Sequence, residues 1–220
     1  MNETAAPCPA APSDHAAILE ATRHWLTRAV IGLNLCPFAK SVHVKNQIRH
    51  VVSEATELEG VLTDLERELQ TLAEADPTEI DTTLLILPHA LIDFADFNDA
   101  TWFAERLVQQ LRLEGTLQVA SFHPDYRFDG ASPGDLANAT NRSPYPVLQL
   151  LREASVAAAV DAGADANAIA AANIARLRRL GPGGWERLRA FCRADACRSS
   201  GSTSLARTAG RTRRGRRPCA

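Results

Sequence analysis

His123 follows an apolar run, Leu117 to Phe122, and precedes Pro124-Asp125. An imidazole at a strand end can exchange protons near neutral pH. Asp125, two residues on, is placed to orient the ring. The alternative is that His123 closes a turn ahead of Pro124 and does no chemistry. Cys36 is the second candidate. Cys36-Pro37 has the order of a helix cap followed by proline at the first helical position. A thiol at a helix start ionises more readily and becomes the better nucleophile. The alternative is a small buried hydrophobe between Leu35 and Phe38. A third cluster runs from Asn138 to Pro146 and combines amides, a hydroxyl and the Arg142 guanidinium. A helix is expected after Pro146, and a helix start with arginine nearby suits a carboxylate or phosphate. Asn138, Asn141 and Arg142 are thus the candidate ligand-binding residues. Arg152 and Glu153, one to two turns into that helix, are placed to support them. The plainer reading is an ordered turn and a surface ion pair.

Other chemistries lack their signatures. The chain has no GxGxxG and no GK[ST], so no nucleotide cofactor is indicated and the cofactor is left unknown. His89, His123 and Asp125 could ligate a metal, but their spacing is not diagnostic, and no metal is assigned. The five cysteines, Cys8, Cys36, Cys192, Cys197 and Cys219, form no CxxC pair. That pattern suggests neither a zinc knuckle nor a disulfide framework, and it favours a reducing, cytoplasmic setting.

The elements around these residues follow from hydrophobic periodicity. A helix is expected from Ser13 or Asp14, with Ile18, Ala21, Thr22, Trp25, Ala29 and Val30 on one face and Gly32 and Asn34 at its end. Gln47 to Ser53 reads as a strand, and Thr56 to Ala75 as a helix with a leucine stripe. Thr82 to Leu87 reads as a strand covered on both faces. A helix from Asn98 or Asp99 to Glu114 turns Trp102, Phe103, Leu107, Val108 and Leu111 inward. Leu117 to Phe122 is the third strand. After the expected helix beyond Pro146, another runs from Asp165 to Leu180, with Gly181-Pro182 as a stop, and a short helix surrounds Trp185. Strands alternating with helices favour an α/β fold with a small, mostly parallel sheet of about three strands. An α+β two-layer sandwich is the alternative. Ligands of open parallel sheets gather at the carboxyl ends of the strands, which here carry Glu54, His89, His123 and Asp125. Eleven residues separate Cys36 from Gln47, enough chain, at roughly 36 Å extended, to carry the thiol to that rim.

Composition bounds the partners. The 220 residues carry a net charge of −2. Arg193 to Ala220 holds eight arginines and one aspartate, so the rest is strongly acidic, which argues against a nucleic-acid-binding domain. The expected organisation is an N-terminal arm over 1–13, a single α/β domain over 14–192 and a disordered Arg-rich tail over 193–220. No stretch approaches the 18 apolar residues of a membrane span, and the start lacks the pattern of a secretory signal.

Four segments carry a resemblance: Gly32-Leu33-Asn34-Leu35-Cys36-Pro37-Phe38-Ala39, Ala120-Ser121-Phe122-His123-Pro124, Thr140-Asn141-Arg142-Ser143-Pro144-Tyr145-Pro146 and Leu150-Leu151-Arg152-Glu153-Ala154-Ser155. Together they resemble the domain-of-unknown-function family 1415 over about residues 15–190, a family of bacteria and plastids. The resemblance implies no activity. It maps the family's motif positions onto Cys36, His123, Asn141, Arg142, Arg152 and Glu153, with a histidine expected where this chain has Gln149. The leading expectation is an enzyme, a hydrolase or transferase acting on a small anionic metabolite. His123 and Asp125 would supply acid–base chemistry, Cys36 the nucleophile and Arg142 the anion contact. The rival is a non-catalytic module that binds a ligand or partner through the same loop.

Overall fold

The computed structural model describes residues 14–161 and 165–199. The expectation for the N-terminal arm and that for residues 200–220 lie outside this span. The chain opens on α1, Asp14–His24, which runs directly into a π-helical segment, Trp25–Ile31. A short helix α2, Ala39–Val44, leads to strand β1, Ile48–Val52. Helix α3, Leu58–Glu74, connects to β2, Thr82–Ile86, and α4, Phe94–Gln110, to β3, Leu117–Phe122. A 3-10 turn, Leu136–Asn141, precedes β4, Val147–Arg152, and helices α5, Glu153–Asp161, and α6, Ala166–Ser199, complete the order.

The sheet has four strands in the order β1-β2-β4-β3. The expected parallel direction of β1 and β2 holds, with Ile48 beside Thr82 and Val52 beside Ile86. The mostly parallel, three-stranded sheet does not. β4 lies antiparallel to both β2 and β3, so two of the three pairings are antiparallel. The segment after Pro146 is this strand, which corrects the expected helix and removes the helix start from the Arg142 region. Its side chains alternate across the sheet. Leu148 and Leu150 join the core beneath α3 and α4, while Gln149 and Leu151 face the other side.

Helices cover both faces. On one, Val61, Leu65, Leu69 and Leu72 of α3 recur at helical spacing and pack with Phe97, Ala104 and Val108 of α4 against Leu85 and Leu150. Asp93 caps α4 by accepting the amide protons of Ala95 and Asp96, so this helix starts earlier than expected. Its inward face is Phe97, Ala100, Ala104 and Val108. Trp102 and Phe103, expected inside, are 57% and 41% exposed. They stack edge to face on the outer surface. On the other face, Ile18 of α1 packs on Val52, Leu84, Ile86 and Val147, and Leu177 and Trp185 of α6 join Trp25, Leu26, Ala29 and Leu35. The expected break at Gly181-Pro182 is present as a kink at Gly181, whose φ is 71°. Beyond it the helix continues to Ser199, past the expected end of the domain. Among the described residues no helix is long and apolar enough to cross a membrane.

Candidate functional site

The sheet face turned away from α3 and α4 is not fully covered. Between it and the π-helical segment lies a cavity of about 320 Å³. Its floor is Ile48 of β1, Thr82 and Leu84 of β2, Gln149 and Leu151 of β4, and Gln118, Ala120 and Phe122 of β3. Register explains the opening. Gln149 sits between Leu84 and Ala120, and the alanine methyl leaves the space above it unfilled. The roof is Trp25, Leu26 and Val30, then Leu35, Cys36 and Phe38, then Ala39 and Val42 of α2. Thr140 and Asn141 line it too, as do Asp81, Ser155 and Val156.

The roof depends on the wider winding of Trp25–Ile31. Gly32 donates to the Thr27 carbonyl at 3.1 Å and Leu35 to that of Val30 at 2.8 Å, both five residues back. Such segments are rare and occur frequently at functional sites. A Cβ at Gly32 would collide with the Arg28 carbonyl oxygen, so this exit from the helix requires glycine. Asn34, in the left-handed conformation at φ 51°, then turns the chain toward Cys36. The Trp25 indole donates to the Arg142 carbonyl at 2.8 Å and meets Phe122 edge to face, which fixes the roof to the sheet.

Polar groups of the cavity are held in place by one another and by backbone carbonyls. The Gln149 amide donates to the Thr82 hydroxyl at 3.1 Å, which donates to the Leu150 carbonyl at 2.7 Å. Ser155 donates to Asp81 at 2.6 Å, and the Asn141 amide donates to the Ser121 carbonyl at 3.3 Å. Apolar side chains make up most of the wall, and among the described residues no lysine, arginine or histidine lines it.

Two residues singled out in the sequence, Cys36 and Asn141, meet at this cavity. Cys36 is half-buried and stands ahead of α2, whose cap is Phe38. It is therefore not the helix cap that Cys36-Pro37 suggested. The remaining candidates stand elsewhere. His123 is fully buried between the rings of Phe94 and Phe97. Its Nδ1 accepts the Asp125 backbone amide at 3.0 Å, so the ring proton sits on Nε2, which is 3.2 Å from the Leu91 carbonyl. Asp125 thus orients the ring through its backbone, and its side chain is exposed. Asn138 is fully buried and ties the loop together, accepting from Phe128 and donating to Ser132. Arg142 shares the His123 end of the sheet and donates to the carbonyls of Tyr126 and Pro133. Burial first, and the nearby Arg189 second, lower its pKa. Arg152 and Glu153 lie at the opposite end of the sheet, where Arg152 closes β4 beside Leu117 and Glu153 opens α5. Arg152 donates to the carbonyls of Leu72, Ala75 and Ile80. His89 and Glu54 are exposed, and among the described residues no three His, Cys, Asp or Glu side chains are placed to hold a metal ion.

Sequence reasoning missed Thr82, Gln118 and Ala120 as wall residues and reached Gln149 only through the resemblance. The available signal was strand alternation at 147–152, which sets Gln149 and Leu151 on the face opposite Leu148 and Leu150.

Two histidines make folding sensitive to acid. Burial pushes the His123 pKa down, against its bond to Leu91. Burial, and after it the charge of Arg23, pushes down that of His50. The unfolded rings titrate near 6.5. Above that value both states are neutral and the stabilisation is complete. Below it the unfolded rings take up protons that the folded rings resist, so stability falls with pH until the folded rings protonate. Urea unfolding from pH 7.5 to 5 is expected to show this decline, and a His50→Gln, His123→Gln variant should flatten it. An equal slope in the variant would refute the assignment.

No curated protein and no solved structure matches the chain. A family model does, described as a protein of unknown function, over residues 17–187, a span that contains every residue of the cavity wall. The chain that builds this cavity therefore belongs to the family DUF1415.

Proposed function

We propose that this protein binds a small, uncharged, largely apolar molecule in the cavity beneath the π-helical segment, with Cys36 as the group available for chemistry on it. The cavity itself carries the proposal: at about 320 Å³ it falls within the range of small-molecule sites, roughly 300–1,000 Å³, and has their pattern of apolar walls with few polar groups. Gln149, Asn141 and Thr140 are placed to orient a hydroxyl or carbonyl. Among the described residues Asp81 is the one ionisable carboxyl in the wall, bonded to Ser155, and no cation lines the cavity to offset the desolvation of an anion. His123 is assigned a structural role, because both ring nitrogens are engaged by backbone groups. Binding with a thiol at hand, rather than His-dependent turnover, is the reading that the lining supports.

The test compares 1-octanol with octanoate as ligands of equal chain length. Octanol is expected to raise the melting temperature and octanoate to raise it far less. Ala120→Phe, which fills the floor beside Gln149, is expected to weaken octanol binding at least tenfold by calorimetry. A preference for octanoate, or unchanged affinity in the variant, would sink the proposal.

A second reading retains an anion near Arg142. That residue and Arg189 line a separate crevice with Trp25 and Trp185. The crevice measures about 10 Å³, space for about one water-sized species, which restricts this reading to a small inorganic anion.

A further inference from the structure

We propose that Cys36 is a covalent acceptor for a medium-length acyl group whose hydrocarbon chain occupies the cavity. The inference rests on the binding reading above and goes beyond it by naming the class of molecule and the bond formed. A half-buried thiol opens on a chamber whose other walls include Leu26, Val30, Leu84, Ala120 and Phe122. Such walls suit a saturated chain, which gains by leaving water and asks for no charge partner. The thiol supplies what the chain's reactive end needs, because a sulfur nucleophile exchanges readily with an activated acyl carbonyl.

The wall also favours an adduct that persists. Hydrolysis of a thioester needs a base to activate water, and among the described residues no imidazole or amine lines the cavity. Acyl exchange from one sulfur to another needs no added base in the balance. Cys36 Sγ attacks the carbonyl carbon of an acyl thioester, and a new S–C bond forms. The donor's S–C bond breaks, and its sulfur departs with the proton that Cys36 gives up. No oxidant or reductant enters. A charged carrier on the donor thioester remains in solvent, and only the acyl chain is taken in.

The experiment incubates the full chain with octanoyl-coenzyme A at neutral pH and follows it by intact mass and peptide mapping. The expected result is one octanoyl adduct on Cys36, released by neutral hydroxylamine, absent in Cys36→Ser and formed at least tenfold more slowly in Ala120→Phe. Mapping on the wild-type chain keeps the test decisive if a variant fails to fold. Octanol binding is measured in parallel on Cys36→Ser. Retained octanol binding with no adduct on Cys36, or with adducts spread equally over the cysteines, overturns acylation and leaves the binding reading standing. A wild-type chain that neither binds octanol nor forms the adduct overturns both.

Discussion

Arg152→Ala is expected to lose about 3–4 kcal/mol of folding free energy, one of the largest effects available from a single substitution here. The side chain is 8% exposed and stands at the last position of β4. Its Nη2 donates to Leu72 and Ala75, each at 2.7 Å, and with Nε to Ile80 at 3.1 and 3.2 Å. Leu72 and Ala75 belong to the end of α3, where helical carbonyls lack partners and a cation is favoured by the helix dipole. Ile80 lies in the turn that leads into β2. One guanidinium thus joins the end of a helix, a turn and a strand, and truncation leaves several acceptors of a buried corner without donors. Lysine carries the charge but not the fork, so Arg152→Lys should recover less than half of the loss. Urea unfolding measures both. Octanol affinity of the folded Arg152→Ala protein should stay within about twofold of wild type, because the residue lies outside the cavity. A stable variant that had lost ligand would return Arg152 to the site.

His123→Ala is expected to cost a similar amount, about 3–4 kcal/mol. The ring is fully buried, fills the space between Phe94 and Phe97 and satisfies two backbone groups. One of them belongs to Leu91, which adopts φ 55°, a conformation that costs a side-chain-bearing residue of order 1–3 kcal/mol. The imidazole therefore bonds the carbonyl of a strained turn ahead of α4. His123→Gln keeps a donor and should retain part of the stability. If His123 instead performed acid–base chemistry in the cavity, its glutamine variant would show ordinary stability and a large loss in acylation of Cys36. Equal rates of octanoyl transfer in wild type and His123→Gln are the expected finding.

Much of the frame was legible along the chain. Leu65, Leu69 and Leu72 announce α3 by spacing, Thr82–Ile86 reads as a strand buried on both faces, and Gly181-Pro182 marks the kink in α6. Each is a local signal, expressed within one or two turns. Trp102 and Phe103 show where such signals mislead. The Asp93 cap starts α4 before Asn98, and the phase of the buried stripe then passes through Phe97, Ala100 and Ala104. Among the candidate residues, Cys36 and Asn141 reach the cavity. His123 and Arg142 share an end of the sheet but spend their polar atoms on backbone.

By itself the sequence determined elements such as β1, α3, β2 and β3, the direct succession of β1, α3 and β2, and the membership in DUF1415, because each rests on the residues along the chain. Only the tertiary structure decided that Val147–Arg152 is a strand. Its leucines, glutamine and arginine are good helix formers, and the segment is extended because a slot between β2 and β3 offers hydrogen bonds on both sides. That pairing sets Gln149 opposite Ala120 and under the π-helical roof. The cavity is thus a property of strand register, which brings together residues more than a hundred positions apart and leaves no mark in any short window.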